Sequence, residues 1–192
     1  EVLHLAQHGR NFGLRIPSAR ADMKAIHARK VRIIDDFAGY RRRALREGPF
    51  DLIRAFARFR DPHVLELSNG ETIRARHVLI GTGSKVAVPP VPGLAEARAW
   101  TSDEVLDLDF VPRSVLVLGG GIVACELAQF LNRIGSRVIL VQRSRHILRD
   151  HSPAASTVIQ QALVDEGVEL FAGTTIESIR QDSRGTTVTF IH

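Results

Sequence analysis

The chain reads as an α/β protein, and three observations carry that reading. After Pro112, short apolar runs alternate with longer helix-patterned stretches. The order is strand, helix, strand, helix, strand, which builds a parallel sheet with right-handed crossovers. Between the first of those strands and its helix stands Gly119-Gly120-Gly121-Ile122-Val123-Ala124. The composition, 44% hydrophobic and 24% charged over 192 residues, is that of a globular protein and not of a disordered chain. That length accommodates one large domain or two small ones.

The elements follow in order. Residues 1–8 pattern as the end of a helix stopped by Gly9, and residues 10–17, with Gly13 and Pro17, pattern as a loop. Ser18 is placed to cap a second helix. The apolar positions of that helix, Met23, Ile26, Ile33, Ile34, Phe37 and Tyr40, fall near helical spacing, and Gly48-Pro49 ends it. Three short strands are expected next, Leu52–Phe59, Val64–Leu67 and Ile73–Ile80, with Asn69-Gly70 as the hairpin turn between the second and third. The segment VAVPPVPG at 86–93 holds three prolines and is expected to be an extended connector near a domain boundary. The division adopted is 1–98 and 99–192.

Thr101–Leu108 is expected to form a short helix capped by Thr101 or Ser102. Ser114–Leu118 is an apolar strand, Gly120–Ile134 a helix ending at Gly135, and Arg137–Val141 a second strand. Ser152 is placed to cap a further helix with Pro153 in its first turn and Gly167 at its close. Val168–Phe171 is a third strand, and residues 174–181 and 186–191 read as an antiparallel pair around Ser183-Arg184-Gly185.

Composition excludes several classes. The longest uncharged stretch near the middle, Ser114–Cys125, has 12 residues, short of the roughly 20 apolar residues that cross a bilayer. A single cysteine, Cys125, rules out an intrachain disulfide and any multi-thiolate metal site. The net charge of +5 comes from 26 basic residues, of which only Lys24, Lys30 and Lys85 are lysine. Arg41-Arg42-Arg43 is the densest basic cluster, but it falls within a helix with no aromatic platform beside it, so no nucleic-acid partner is expected. The opening EVLHLAQHG lacks the basic start and long apolar run of a signal peptide. It reads like a helix entered midway, so the expectation is a piece of a longer, cytoplasmic polypeptide.

The sharpest motif fits G-x-G-x-x-G/A, with Gly119, Gly121 and Ala124 in its three small places. Gly119 permits the tight turn out of the strand, Gly121 lets a pyrophosphate approach the backbone, and Ala124 lets the helix pack closely on the sheet. The helix start presents free N–H groups and the positive end of its dipole to the phosphates. Alone the motif is weak, but here it has the strand–loop–helix–strand context of a dinucleotide fingerprint. The bland alternative is a glycine-rich turn serving only helix packing.

At the end of the second strand, 23 positions after Gly119, Gln142 stands where NAD-binding proteins carry an acid for the ribose hydroxyl. Arg143, Arg145 and Arg149 follow. Loss of an anion and gain of arginine suits a 2′-phosphate, hence NADP in preference to NAD. The alternative is that these arginines form a solvated face. Glu126, in the first turns of the helix, either complements its dipole or approaches the nicotinamide end of a cofactor. His4 and His8 share a helix face, but two residues do not make a metal site. Cys125, inside a helix, reads as a small core residue.

The motifs together resemble class I pyridine nucleotide–disulfide oxidoreductases, a family that includes glutathione reductase, dihydrolipoamide dehydrogenase and mercuric reductase. HVLIGTGSKVAVPPVPG is similar to the family's strand, A-T-G and proline-bearing connector, and WTSDEVLDLDFVPRSVLVLGGGIVACELAQFLNRIGSRVILVQRS is similar to its nicotinamide-cofactor half. WTSDEVL and GGGIVACELAQ lean towards mercuric reductase. The resemblance covers essentially the whole chain. It implies a Rossmann-like NAD(P)-binding domain at 99–192 and part of a FAD-binding domain at 1–98.

It further implies that Ala57, in RAFARF, and Thr82, Gly83 and Ser84 lie against FAD. By the same resemblance Glu126 approaches the nicotinamide side, and Arg143 and Arg149 hold the places of the arginines that bind the 2′-phosphate in NADP-using members. Ile122 stands where glutathione reductases carry a gating tyrosine. The family's first G-x-G-x-x-G, its C-x-x-x-x-C redox pair, its later G-D motif and its histidine-bearing dimerisation domain are not found among these residues, so no catalytic residue is assigned.

The expected function of the intact protein is hydride transfer from NADPH to FAD and on to a dithiol pair. The final acceptor would be a small molecule, a disulfide or a metal ion such as Hg(II), and the full-length protein a homodimer. This stretch alone is expected to be inactive. The rival reading is a non-catalytic NADP-binding module.

Overall fold

The computed structural model describes residues 1–192. The chain begins with α1 (Val2–Gln7), a 3₁₀ turn (Gly9–Phe12) and α2 (Met23–Glu47). Strands β1 (Ala57–Asp61), β2 (Val64–Leu67) and β3 (Thr72–Arg74) follow, and then α3 (Ser102–Leu106). The remainder runs β4 (Ser114–Leu118), α4 (Ile122–Ile134), β5 (Arg137–Gln142), α5 (Pro153–Asp165), β6 (Glu169–Ala172), β7 (Thr175–Asp182) and β8 (Gly185–Ile191). The α/β class and the parallel sheet stand as expected. Strands β4, β5 and β6 pair in parallel in that order, and β7 and β8 form an antiparallel hairpin.

The residues group into two compact units, Glu1–Lys30 with Ala87–His192, and Val31–Val86. These limits differ from a cut at residue 98, and the reason is packing. Met23 is buried in the main core with Cys125, Ala128, Leu131, Val138, Leu140 and their neighbours. The connector packs Leu94 and Ala97 on Ile179 of β7 in a second cluster. Ile179 donates its N–H to the Pro92 carbonyl at 2.8 Å. A Cβ on Gly93 would stand 1.8 Å from the Ile179 carbonyl oxygen, so only glycine fits there.

Several local expectations are corrected. Asp22, not Ser18, opens α2, its carboxylate accepting from the Ala25 N–H at 3.0 Å. Ser152 precedes α5 but makes no side-chain cap bond. At α3 the capping box of Thr101 and Glu104 forms in full. The first strand begins at Ala57, not Leu52, and the third is only Thr72–Arg74. A strand exists by pairing: β3 pairs only with β2, over Thr72–Arg74, and residues 76–80 have no neighbouring strand. The apolar stripe of α2 is buried only at Met23, while Ile33, Ile34, Phe37 and Tyr40 are exposed. Arg41 does have an aromatic neighbour, its guanidinium lying 5.2 Å from the Phe37 ring centroid one turn back on the same helix.

The two helices that flank the sheet are tied at their C-terminal ends. Glu166, just past α5, accepts a fork of bonds from Arg133 of α4, Nε to Oε2 at 2.7 Å and Nη2 to Oε1 at 2.6 Å. Gln129 adds a bond to Oε1 at 2.8 Å, and the Asn132 amide donates to the Glu166 carbonyl at 2.8 Å. The pair is largely shielded, with side chains 23% and 16% exposed. Donation from Arg133 holds the Glu166 carboxyl below its ordinary range.

A carboxyl lowered by folding stabilises the protein at pH values above its unfolded pKa. That contribution is lost as pH falls through the folded value. Glu166→Ala is therefore expected to cost about 2 kcal/mol at neutral pH, read by urea unfolding. The difference between variant and parent should shrink progressively on acidification below about pH 4, the ordinary carboxylate range.

Candidate functional site

The candidate site is built where β4 ends and α4 begins. The ladder of β4 and β5 continues one residue past β4, the Gly119 N–H donating to the Val141 carbonyl at 2.8 Å. Gly119 then turns the chain at φ +105°, a conformation that a Cβ makes costly. Gly121 is extended and sits at the N-cap of α4. Nothing lies within 4 Å of the place its Cβ would take. The first bond of the helix runs from the Cys125 N–H to the Gly121 carbonyl at 3.0 Å. No side chain caps this end, so the first-turn N–H groups face outward with the positive end of the dipole. Open space at Gly121 beside free N–H donors is the geometry that phosphate oxygens require.

Gly120, to which the motif assigns no role, is the tightest position of the glycine loop. It is buried, and an added Cβ would stand 2.9 Å from Ile147 Cγ2 and 3.2 Å from Gln142 Cγ. Its carbonyl accepts from the Leu148 N–H at 2.6 Å. The loop that crosses here, residues 143–151, carries the three arginines. Leu148 holds φ +50°, a left-handed conformation that costs a non-glycine residue roughly 1–2 kcal/mol. Neither contact has a sequence signal beyond the middle glycine itself.

The predicted residues distribute as follows. Ile122 and Glu126 are exposed on α4, and Ala124 is half-buried. Cys125 is buried in the core and its thiol pKa is pushed up by burial, which suits packing and not nucleophilic chemistry. Arg143 is exposed and has no ion pair within the chain, as is Arg145. Arg149 is exposed and lies 3.4 Å from the Asp150 carboxylate. Gln142 is buried, its amide turned along the loop towards the His146 carbonyl at 3.5 Å. The cavity behind the loop is about 110 Å³, too small for a dinucleotide by the usual range of ligand pockets. The open surface over Gly121 is the face with room for one.

In the other unit, Ala57 opens β1 opposite Leu67. Thr82, Gly83 and Ser84 are exposed in the irregular stretch after β3. Gly83 has φ +71°, and none of the three forms a hydrogen bond within the chain. His4 and His8 stack with ring centroids 4.3 Å apart, and no group of three metal-ligating side chains gathers anywhere.

The two central glycines should separate cleanly in a stability measurement. Gly121→Ala, entering open space, is expected to change unfolding free energy by less than about 1 kcal/mol. Gly120→Ala, pressed on Ile147, is expected to cost about 1–3 kcal/mol. Equal losses by chemical denaturation would mean the loop yields freely at Gly120.

The chain matches known proteins along nearly its whole length. A family model described as pyridine nucleotide-disulphide oxidoreductase matches residues 13–191. Mercuric reductase from Staphylococcus aureus is 32% identical over 189 residues, covering 98% of this chain and 34% of that protein. Dihydrolipoyl dehydrogenase from Thermus scotoductus is 31% identical over 176 residues, covering 91% of this chain and 37% of that protein. The solved structure of the HOCl-induced flavoprotein disulfide reductase RclA from Escherichia coli superposes with a TM-score of 0.80 at 24% identity, covering all of this chain and 42% of that one. The chain thus spans about a third of the length of the curated relatives it matches. With the glycine loop, the uncapped α4 and the parallel sheet in place, the chain belongs to the pyridine nucleotide–disulphide oxidoreductase family.

Proposed function

We propose that the chain is the central part of a flavin-dependent, NADPH-using oxidoreductase of the mercuric reductase type. The observation that carries this is the open, uncapped glycine loop at Gly121 in a chain of this family. When bound, NADPH and FAD supply hydride-transfer chemistry, from nicotinamide to flavin to a disulfide or metal-ion acceptor.

This chain's own residues bind and orient. The N–H groups of the first turn of α4 and the bare Cα of Gly121 would receive the pyrophosphate of the pyridine nucleotide. Arg143 and Arg149 would hold the 2′-phosphate, and Gln142 places no negative charge there to repel it. Glu126, exposed one turn into α4, would meet the nicotinamide end, with Ile122 beside it. Ala57, Thr82, Gly83 and Ser84 would contact FAD. The open backbone of Thr82, Gly83 and Ser84, without internal hydrogen bonds, leaves their polar groups available for it. Cys125, the one thiol, is buried in the core, so it takes no part in the dithiol step. A disulfide or metal-ion acceptor, a homodimeric assembly and a cytoplasmic setting belong to the same proposal for the intact protein. No helix of the chain is long and apolar enough to cross a membrane.

The expected preference is for the phosphorylated nucleotide. Replacing Arg143 and Arg149 with Ala should weaken NADP⁺ by roughly tenfold to a hundredfold and leave NAD⁺ almost unchanged. The exposure of both arginines points to the lower end of that range. Calorimetric titration of both nucleotides decides it, and equal affinities in the parent chain would overturn NADP as the cofactor. Gly121→Val should weaken both nucleotides together, since it fills the space the pyrophosphate needs. Unaltered affinity there would remove the glycine loop from the binding site.

A further inference from the structure

We propose that Ser156 is a positioning residue for 2′-phosphate selectivity, acting through the backbone of the 143–151 loop. The inference rests on the NADP reading above and concerns what holds the arginines in place.

The loop leaves β5 and reaches α5 without regular structure of its own. Besides the 3.5 Å bond from the Gln142 amide to the His146 carbonyl, three bonds from outside fix its backbone. The Ser144 carbonyl accepts from the Gly173 N–H at 2.9 Å, and the Leu148 N–H donates to the Gly120 carbonyl at 2.6 Å. The Ile147 carbonyl accepts from the Ser156 hydroxyl at 2.5 Å. Arg143 stands just before the first anchor and Arg149 just after the last.

Ser156 departs from habit. A hydroxyl inside a helix usually bonds back to the carbonyl four residues earlier, as Thr157 does with Pro153 at 2.9 Å. Ser156 instead reaches across to the loop, from a site only 1% exposed. The bond it makes lies beside the strained Leu148 and under Ile147, which is fully buried against Gly120. Ser156 therefore clamps the arginine loop onto the glycine loop, so that the 2′-phosphate end and the pyrophosphate end of the site are held as one piece.

Removing the hydroxyl leaves the Ile147 carbonyl buried without a donor. The Ile147–Leu148 peptide is then free to relax from its strained conformation and to carry Arg149 with it. Contacts at Gly121 and the start of α4 are common to both nucleotides, so the loss falls on NADP alone.

The test measures dissociation constants of NADP⁺ and NAD⁺ for the parent chain, Ser156→Ala and Gly120→Ala by calorimetry. Ser156→Ala is expected to weaken NADP⁺ about fivefold, less than removing both arginines, with NAD⁺ changed less than about twofold. Gly120→Ala displaces Ile147 from the other side and should lower the same selectivity ratio. Taking the ratio within each variant cancels any loss of folded protein. A purely structural serine would lower the melting temperature or weaken both nucleotides equally, with the ratio unchanged, and that result overturns the clamp. A selective parent whose Ser156→Ala variant stays equally selective overturns the clamp alone. A parent that does not distinguish the nucleotides overturns the NADP reading and the clamp with it.

Discussion

The unit that carries the glycine loop depends on one close approach, the backbone of Gly120 against Ile147 and Leu148. A Cβ added at Gly120 would press on Ile147 at 2.9 Å, so any larger side chain must displace it. That contact fixes where the loop after β5 crosses the end of β4, and so where three arginines stand relative to the start of α4. It is also sealed from both sides. Leu148 donates to the Gly120 carbonyl, and Cys125 packs its sulfur 3.7 Å from that same oxygen. The Leu148 strain persists because these neighbours over-determine it, as is usual where strained backbone borders a binding surface.

Around this contact the sheet and helices form a frame open at one end and pinned at the other. At the glycine end α4 is uncapped and open, which suits a ligand and contributes little to stability. At the far end Glu166 gathers Arg133, Gln129 and Asn132. The core between them is formed by Ala128 and Leu131 of α4, Val138 and Leu140 of β5, and Leu163 of α5, none more than 1% exposed. Rigidity placed at one end thus lets the other end keep unsatisfied donors, the usual division between scaffold and site.

The unit of residues 31–86 is of another kind. Among its residues only Val64 and Leu67 are buried. Phe56, Leu79 and Ile80 are exposed, at 88%, 97% and 68%. The run HVLI has the composition of a buried strand, yet it forms none and stays unpaired. Sequence pattern records what a segment is suited to meet, and regular structure appears only where the partner is at hand.

Much of the fold was legible in the residues themselves. Ser114–Leu118, Val64–Leu67 and the capped start of α3 follow from local rules: alternation of apolar runs, turn residues and a Thr–Glu capping box. Gly119, Gly121 and Ala124 were legible because their spacing encodes a strand–loop–helix geometry. The lengths of β1 and β3 were not, because strand limits are set by pairing. The exposed stripe of α2 was not, because periodicity gives a face but not its partner.

Gly120 shows the boundary between the two kinds of information. Its place in the motif is visible, but the need for glycine there arises from Ile147, 27 positions away. Ser156 carries no signal at all, since a hydroxyl in a helix is ordinarily bonded to its own backbone. The sequence by itself determined the order of elements, the family and the glycine loop between β4 and α4, because those rest on interactions between near neighbours. Only the tertiary structure decided which backbone atoms hold the arginine loop, because that rests on groups brought together across the sheet by close packing.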